Sequence, residues 1–120
     1  MPKVQNIQKK TFTTPDETRS LPKTTIEVVN LGDATVMKAT LEPGWKWSEC
    51  VKPKAGTASC QAPHLGYVLS GRLKVVMDDG TEEEYGPGDV QRIAPGHDAW
   101  VVGDEPYVGL DFEGGKIYAK

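Results

Sequence analysis

Cysteine and histidine are scarce in this chain, with two of each in 120 residues. Two cysteines cannot build the disulfide framework of a small secreted domain, so Cys50 and Cys60 are expected to stay reduced. Long apolar runs are missing too. The longest, such as Ala99 to Val102, has about four residues, where a membrane-spanning helix needs roughly 18. The segment Met1 to Lys10 carries lysines but lacks the apolar stretch of about 7 to 15 residues that a signal peptide requires, and a cytoplasmic location is expected. Positive charge is not in excess: 14 Lys and Arg face 17 Asp and Glu, a net charge of −3. Only Lys9-Lys10 and Lys52/Lys54 cluster, so neither nucleic acid nor a membrane is expected as a partner. Absent as well are a Gly-x-Ser-x-Gly elbow, a phosphate loop, a Cys-x-x-Cys pair and a His-Glu-x-x-His helix. Paired acids occur only at turns, as in Asp78-Asp79 and Asp104-Glu105, which leaves glycosidase-type acid and base work without support.

What is present is turn chemistry and short alternating runs. The length suits one domain and rules out a Rossmann enzyme or a TIM barrel. Thirteen glycines and nine prolines predict many turns and few long helices. Residues 1–22 hold Pro2, Pro15 and Pro22 with little periodicity and read as an extended arm, leaving 23–120 as the folded domain. Strands are predicted at Thr24 to Asn30 and Ala34 to Glu42, where Met37, Ala39 and Leu41 share one face. Further strands are predicted at Leu65 to Leu69, Leu73 to Met77, Thr81 to Tyr85 and Val90 to Ile93. Ala99 to Val102, Tyr107 to Phe112 and Lys116 to Ala119 complete the set. Asp79-Gly80 closes a hairpin, because this pair accepts the positive φ of a type I′ turn. Eight to ten short strands predict an all-β, antiparallel sandwich or barrel.

Two stretches narrow this further. Cys60-Gln61-Ala62-Pro63-His64-Leu65-Gly66-Tyr67-Val68-Leu69-Ser70-Gly71 resembles the first cupin motif, and Gly88-Asp89-Val90-Gln91-Arg92-Ile93-Ala94-Pro95-Gly96 resembles the second. The resemblance covers residues 40 to 112 or so and implies a small single-domain cupin, a jelly roll or double-stranded β-helix. It also implies a metal at the barrel mouth, held in the family by His-x-His, a Glu and a later His. Here those four positions fall on Ala58, Cys60, His64 and Ala99, so none of the usual ligands stands in its own place. His97 lies two residues before the fourth position.

Cys60 and His64 are four residues apart and would share one face of a continuous strand, and His97 has the parity of Ala99. A thiolate with two imidazoles suits a divalent metal, zinc first, then iron or nickel, with one coordination position open. The competing reading makes Cys60 a small buried hydrophobe, His64 a hydrogen-bonded pocket residue and His97 a solvated loop residue. Gly66, Ala58 and Ala99 are expected to leave space for a small-molecule ligand, with Trp47 at the floor of the pocket. Gly66 is open to a second reading, a close approach of two backbones. Trp45 and Trp47 share a face, and core or interface packing is the reading favoured for them over a pocket floor. Tyr67 is assigned to packing, Trp100 away from the pocket, Arg92 outward, and Asp98 to a turn.

The functional expectation is a metal-dependent enzyme or ligand sensor. The alternatives are a metal-free binding module and a structural cupin without catalysis. A homodimer is expected through the arm and unpaired sheet edges.

Overall fold

The structure is a computed structural model and describes residues 7–116 and residue 118. Its strands are β1 (Glu17–Leu21), β2 (Thr24–Leu31), β3 (Ala34–Leu41), β4 (His64–Ser70), β5 (Arg72–Met77), β6 (Glu82–Tyr85), β7 (Val90–Ile93), β8 (His97–Val102) and β9 (Tyr107–Asp111). Six of them form one antiparallel sheet in the order β1-β2-β3-β9-β4-β7, and β6-β5-β8 form the other. The result is an all-β jelly roll.

Period-two alternation explains why these segments pair as they do. In β3 the side chains of Met37, Ala39 and Leu41 are buried, and in β5 those of Leu73 and Val75. Ile26 and Val28 of β2, Val68 of β4, Ile93 of β7 and Val101 of β8 close the same core. A one-residue slip in any of these strands would turn its buried set to solvent, so burial itself holds the register.

Four segments depart from the sequence-based expectation. Within the expected arm, Glu17–Leu21 is the edge strand of the chain's own sheet, paired with β2 from Glu17↔Val28 to Leu21↔Thr24. Arg19 of that strand is buried, with Nε donating to Glu17 Oε2 and Nη1 to the carbonyl of Tyr118 (both 2.7 Å), which satisfies the guanidinium inside the fold. Two short helices, α1 (Trp47–Cys50) and α2 (Lys52–Ala55), occupy the stretch where alternation was expected to put Trp45 and Trp47 on one face. Asp98 Oδ1 of β8 accepts from the backbone N–H of Ser48 (3.1 Å), so it meets a free amide of α1 instead of closing a turn. The last expected strand begins as a single 3-10 turn, Gly114–Lys116, and its residues 117 and 119 lie outside the described residues.

Trp45 and Trp47 are both 2% exposed, and Trp45 Nε1 donates to Thr24 Oγ1 (2.9 Å). Trp100 is half-buried on the outside, where Lys46 Nζ lies 5.5 Å from its ring centre. Arg92 is exposed. Tyr67 is 40% exposed and not a packing residue, because β4 turns its odd-numbered side chains away from the core.

Candidate metal centre

The expected continuous strand from Cys60 to His64 does not form. β4 begins at His64, and Cys60 is held instead by an isolated bridge to His97: its N–H donates to the His97 carbonyl, and its own carbonyl accepts from Gly96 N–H (both 2.7 Å). Pro63 precedes the strand and cannot donate to a ladder, consistent with a late start. The bridge nevertheless turns the thiol inward. Cys60 is 2% and His97 3% exposed, and the ligating atoms of Cys60, His64 and His97 all lie within 4.8 Å of one another.

Second contacts orient both imidazoles. His64 Nδ1 bonds Asp111 Oδ2, and His97 Nδ1–H donates to the carbonyl of Ala94 (2.8 Å). With Nδ1 engaged on each ring, Nε2 is left for the centre. Cys60 Sγ stands 3.8 Å from His64 Nε2. Bond lengths of about 2.3 Å to sulfur and 2.0 to 2.1 Å to nitrogen at a tetrahedral ion put two such ligands about 3.6 Å apart, so the donor set fits a divalent metal.

Asp111, which carries no signal in the cupin-like motifs, is the residue that completes the centre. Its Oδ1 accepts from the backbone N–H of Glu113 and Gly114 (both 2.9 Å), which fixes the carboxylate behind His64. Strand parity held the available clue, because Tyr107, Gly109 and Asp111 alternate on the buried face of β9. Tyr118 was also missed: its ring meets that of His64 edge-on at 5.4 Å, and Arg19 holds its carbonyl.

Electrostatics follow from these contacts. Burial pushes the Cys60 thiol up, but its hydrogen bond to His64 and the adjacent His97 outweigh it and bring the thiol down from 9.0 to about 6. Burial pushes His64 down, and its bonds to Asp111 and Cys60 reverse this, raising it from 6.5 to about 9. Burial raises the Asp111 carboxyl, yet its bonds to His64 and to the two backbone amides leave it below its ordinary value. Without a metal the centre is therefore a thiolate–imidazolium pair backed by a carboxylate.

This pair has a defined pH signature. The lowered thiol contributes stability that is present above pH 9.0 and lost as pH falls through about 6. The raised imidazole contributes stability that is present below 6.5 and lost as pH rises through about 9. Over their shared window the two slopes cancel, so the stability of metal-free protein should stay level there, while ultraviolet thiolate absorbance persists down to about pH 6. His64→Gln should move the thiolate titration toward its ordinary value. A wild-type thiol that already titrates there would disprove the pairing.

Beside the centre lies a cavity of about 60 Å³, room for about two waters. Its walls include Met37, Leu41, Trp47, Leu73, Val75 and Ala99. Tyr107 supplies a polar group: Gln91 Nε2 donates to its hydroxyl (2.6 Å), which leaves the phenol's own proton for an acceptor. Gly109 makes room for that hydroxyl, since a Cβ there would stand 2.4 Å from it.

Two residues expected at the pocket do not line it. A Cβ on Gly66 would meet the Leu110 carbonyl oxygen at 2.2 Å, so this glycine serves a close approach of β4 to β9. Ala58 is exposed on the outer surface beyond α2, because the chain is not a strand there.

No family model matches the chain, and no curated protein matches it. Solved structures do. Oxalate decarboxylase from Lactobacillus farciminis, determined as a formate complex, has a TM-score of 0.61 at 17% identity over 85% of this chain, which spans 32% of that protein's length. A protein of unknown function from Rhizobium leguminosarum bv. viciae has a TM-score of 0.64 at 21% identity, covering 91% of this chain and 99% of the other. A cupin-like protein from Thermotoga maritima has a TM-score of 0.53 at 17% identity over 75% of this chain and 67% of its own. Identities this low speak for architecture alone, and the architecture is that of the cupins. Among the described residues, no helix is long and apolar enough to cross a membrane.

Proposed function

We propose that this protein is a small metal-binding cupin in which Cys60 Sγ, His64 Nε2 and His97 Nε2 hold a divalent ion, zinc before iron or nickel, for use in small-molecule catalysis or sensing. The observation that carries this reading is the convergence of two buried donors, Cys60 and His97, with the half-buried His64, both imidazoles already oriented from behind, by Asp111 and by the Ala94 carbonyl. A thiolate and two imidazoles are three protein donors, the number that an ion which also takes an exogenous ligand uses.

A divalent ion there would supply Lewis acidity to an oxygen-bearing ligand. The chain's own residues do the rest. Asp111 accepts the Nδ1 proton of His64 and keeps that ring's lone pair on Nε2. Tyr107 offers its phenolic proton to a ligand oxygen, while Gln91 holds that phenol in place. The apolar walls exclude bulk water, and the cavity volume restricts the ligand to a few heavy atoms. A reducing compartment such as the cytoplasm would keep Cys60 available as a thiolate.

Untagged protein, purified without chelators, should contain about one equivalent of metal per chain by elemental analysis and by native mass spectrometry. Protein that stays free of metal after incubation with zinc, iron and nickel salts would leave the metal-free thiolate–imidazolium pocket as the correct reading.

A further inference from the structure

The last described residue carries a polar group that the fold itself does not use. Tyr118 is 7% exposed, and like Tyr107 it forms part of the wall of the cavity beside the centre. Its carbonyl accepts from Arg19 Nη1 (2.7 Å) and its N–H donates to the Gly114 carbonyl (3.0 Å), but its hydroxyl donates to no group among the described residues. The titratable groups close enough to act on that hydroxyl are Cys60, Asp111, Tyr107 and Cys50, so it lies on the side of the centre. Two glycines bring it there. A Cβ on Gly114 would stand 2.8 Å from both His64 Nδ1 and Asp111 Oδ2, and one on Gly115 would stand 3.1 Å from Thr35 Cγ2. The Gly114–Lys116 turn therefore crosses directly over the His64–Asp111 pair, closer than a side chain would allow. A buried hydroxyl ordinarily spends its proton on an acceptor, and an unspent one beside a cavity is a binding group.

Resting on the metal-binding reading above, we infer that Tyr118 is a ligand-binding residue of this centre. With Tyr107 it makes a pair of phenol donors suited to a small uncharged carbonyl compound. Tyr107 already receives a hydrogen bond from Gln91, so both phenols have a proton to give, and neutral pH leaves phenols protonated. Charge decides between an uncharged ligand and an anion. The two positive charges of a divalent ion are matched by the Cys60 thiolate and by the Asp111 carboxylate behind His64. No Lys or Arg stands among the described residues that line the cavity. An anion entering it would lack a counter-charge inside apolar walls, which is costly. A carbonyl oxygen brings two lone pairs and no charge, and the cavity admits only a few heavy atoms.

Acetone and acetate are the probes, because they have the same number of heavy atoms and nearly the same shape but differ in charge. Metal content is measured on every sample first, and binding is then followed by ligand-observed NMR. Metal-loaded full chain should bind acetone in the millimolar range and acetate about tenfold more weakly. Tyr118→Phe should keep its metal and its circular dichroism spectrum and lose about tenfold in acetone affinity, the effect of one hydrogen bond. The comparison of the two probes on the wild-type chain decides the ligand class even if the variant fails to fold. Metal-loaded protein that binds neither probe, or acetate as tightly as acetone, overturns the inference. Wild-type acetone affinity in Tyr118→Phe overturns the role of Tyr118. A wild-type chain that takes up no metal refutes the reading beneath this inference and the inference with it, so the two failures are separate results.

Discussion

Cys60→Ala is expected to abolish stoichiometric metal binding while leaving the fold intact. Cys60 supplies the sulfur donor of the centre, and its backbone, not its side chain, makes the bridge to His97. The methyl of alanine keeps the position apolar, so the β-bridge and the walls of the cavity should survive. Asp111→Asn tests the same centre one shell out. The asparagine oxygen can still accept from Glu113 and Gly114, but its NH₂ group would face His64 Nδ1, donor against donor. His64 must then carry its proton on Nε2, where a ligating lone pair is needed. Loss of such an outer partner lowers metal affinity about 10- to 100-fold, and loss of the thiolate should lower it further. Competition against a chromophoric chelator measures both. Affinity unchanged in the two variants would remove the centre from consideration.

Trp47→Ala should be the most destabilising single truncation. Trp47 is among the largest side chains buried to within 2% and forms part of the cavity wall. Truncating a buried tryptophan costs about 3 to 5 kcal/mol, and a new void that merges with an existing one has little to collapse onto it. For a domain of this length the loss corresponds to a fall in Tm of about 10 to 20 °C, a large share of the total stability. Trp100→Ala is the control. That ring is half-buried against Lys46, so its removal should shift Tm by only a few degrees. Equal shifts for the two variants in differential scanning calorimetry would contradict the assignment of Trp47 to the core.

The strands from Thr24 onward were legible because alternation is a local property: Met37, Ala39 and Leu41 declare their face without reference to any other segment. The stretch from Trp45 to Ala55 was not. Its alternating tryptophans imitate a strand, while α1 meets Asp98, a residue fifty positions away, which no local pattern displays. The centre shows the same division. Cys60, His64 and His97 stood out from the motif positions, yet the reason given for pairing Cys60 with His64, a shared strand, was not the one that operates. An isolated bridge to His97 brings them together. Gly66 illustrates the ambiguity of a glycine in a strand, which marks either open space or a neighbour too close for a Cβ. Only the position of the Leu110 carbonyl distinguishes them.

By itself, then, the order of residues determined the class of fold, the placement of its central strands and the identity of three candidate donors. These depend on period, turn chemistry and residue type, each carried within a few neighbouring positions. The tertiary structure alone decided that Asp111 backs His64, that Tyr107 and Tyr118 adjoin the donors, and that Ala58 stands outside. Those facts depend on which strands become neighbours across 47 residues of chain, as between His64 and Asp111, and on the depth at which each side chain ends. Distance in space between residues remote in sequence is set by packing the whole core, which no local window contains.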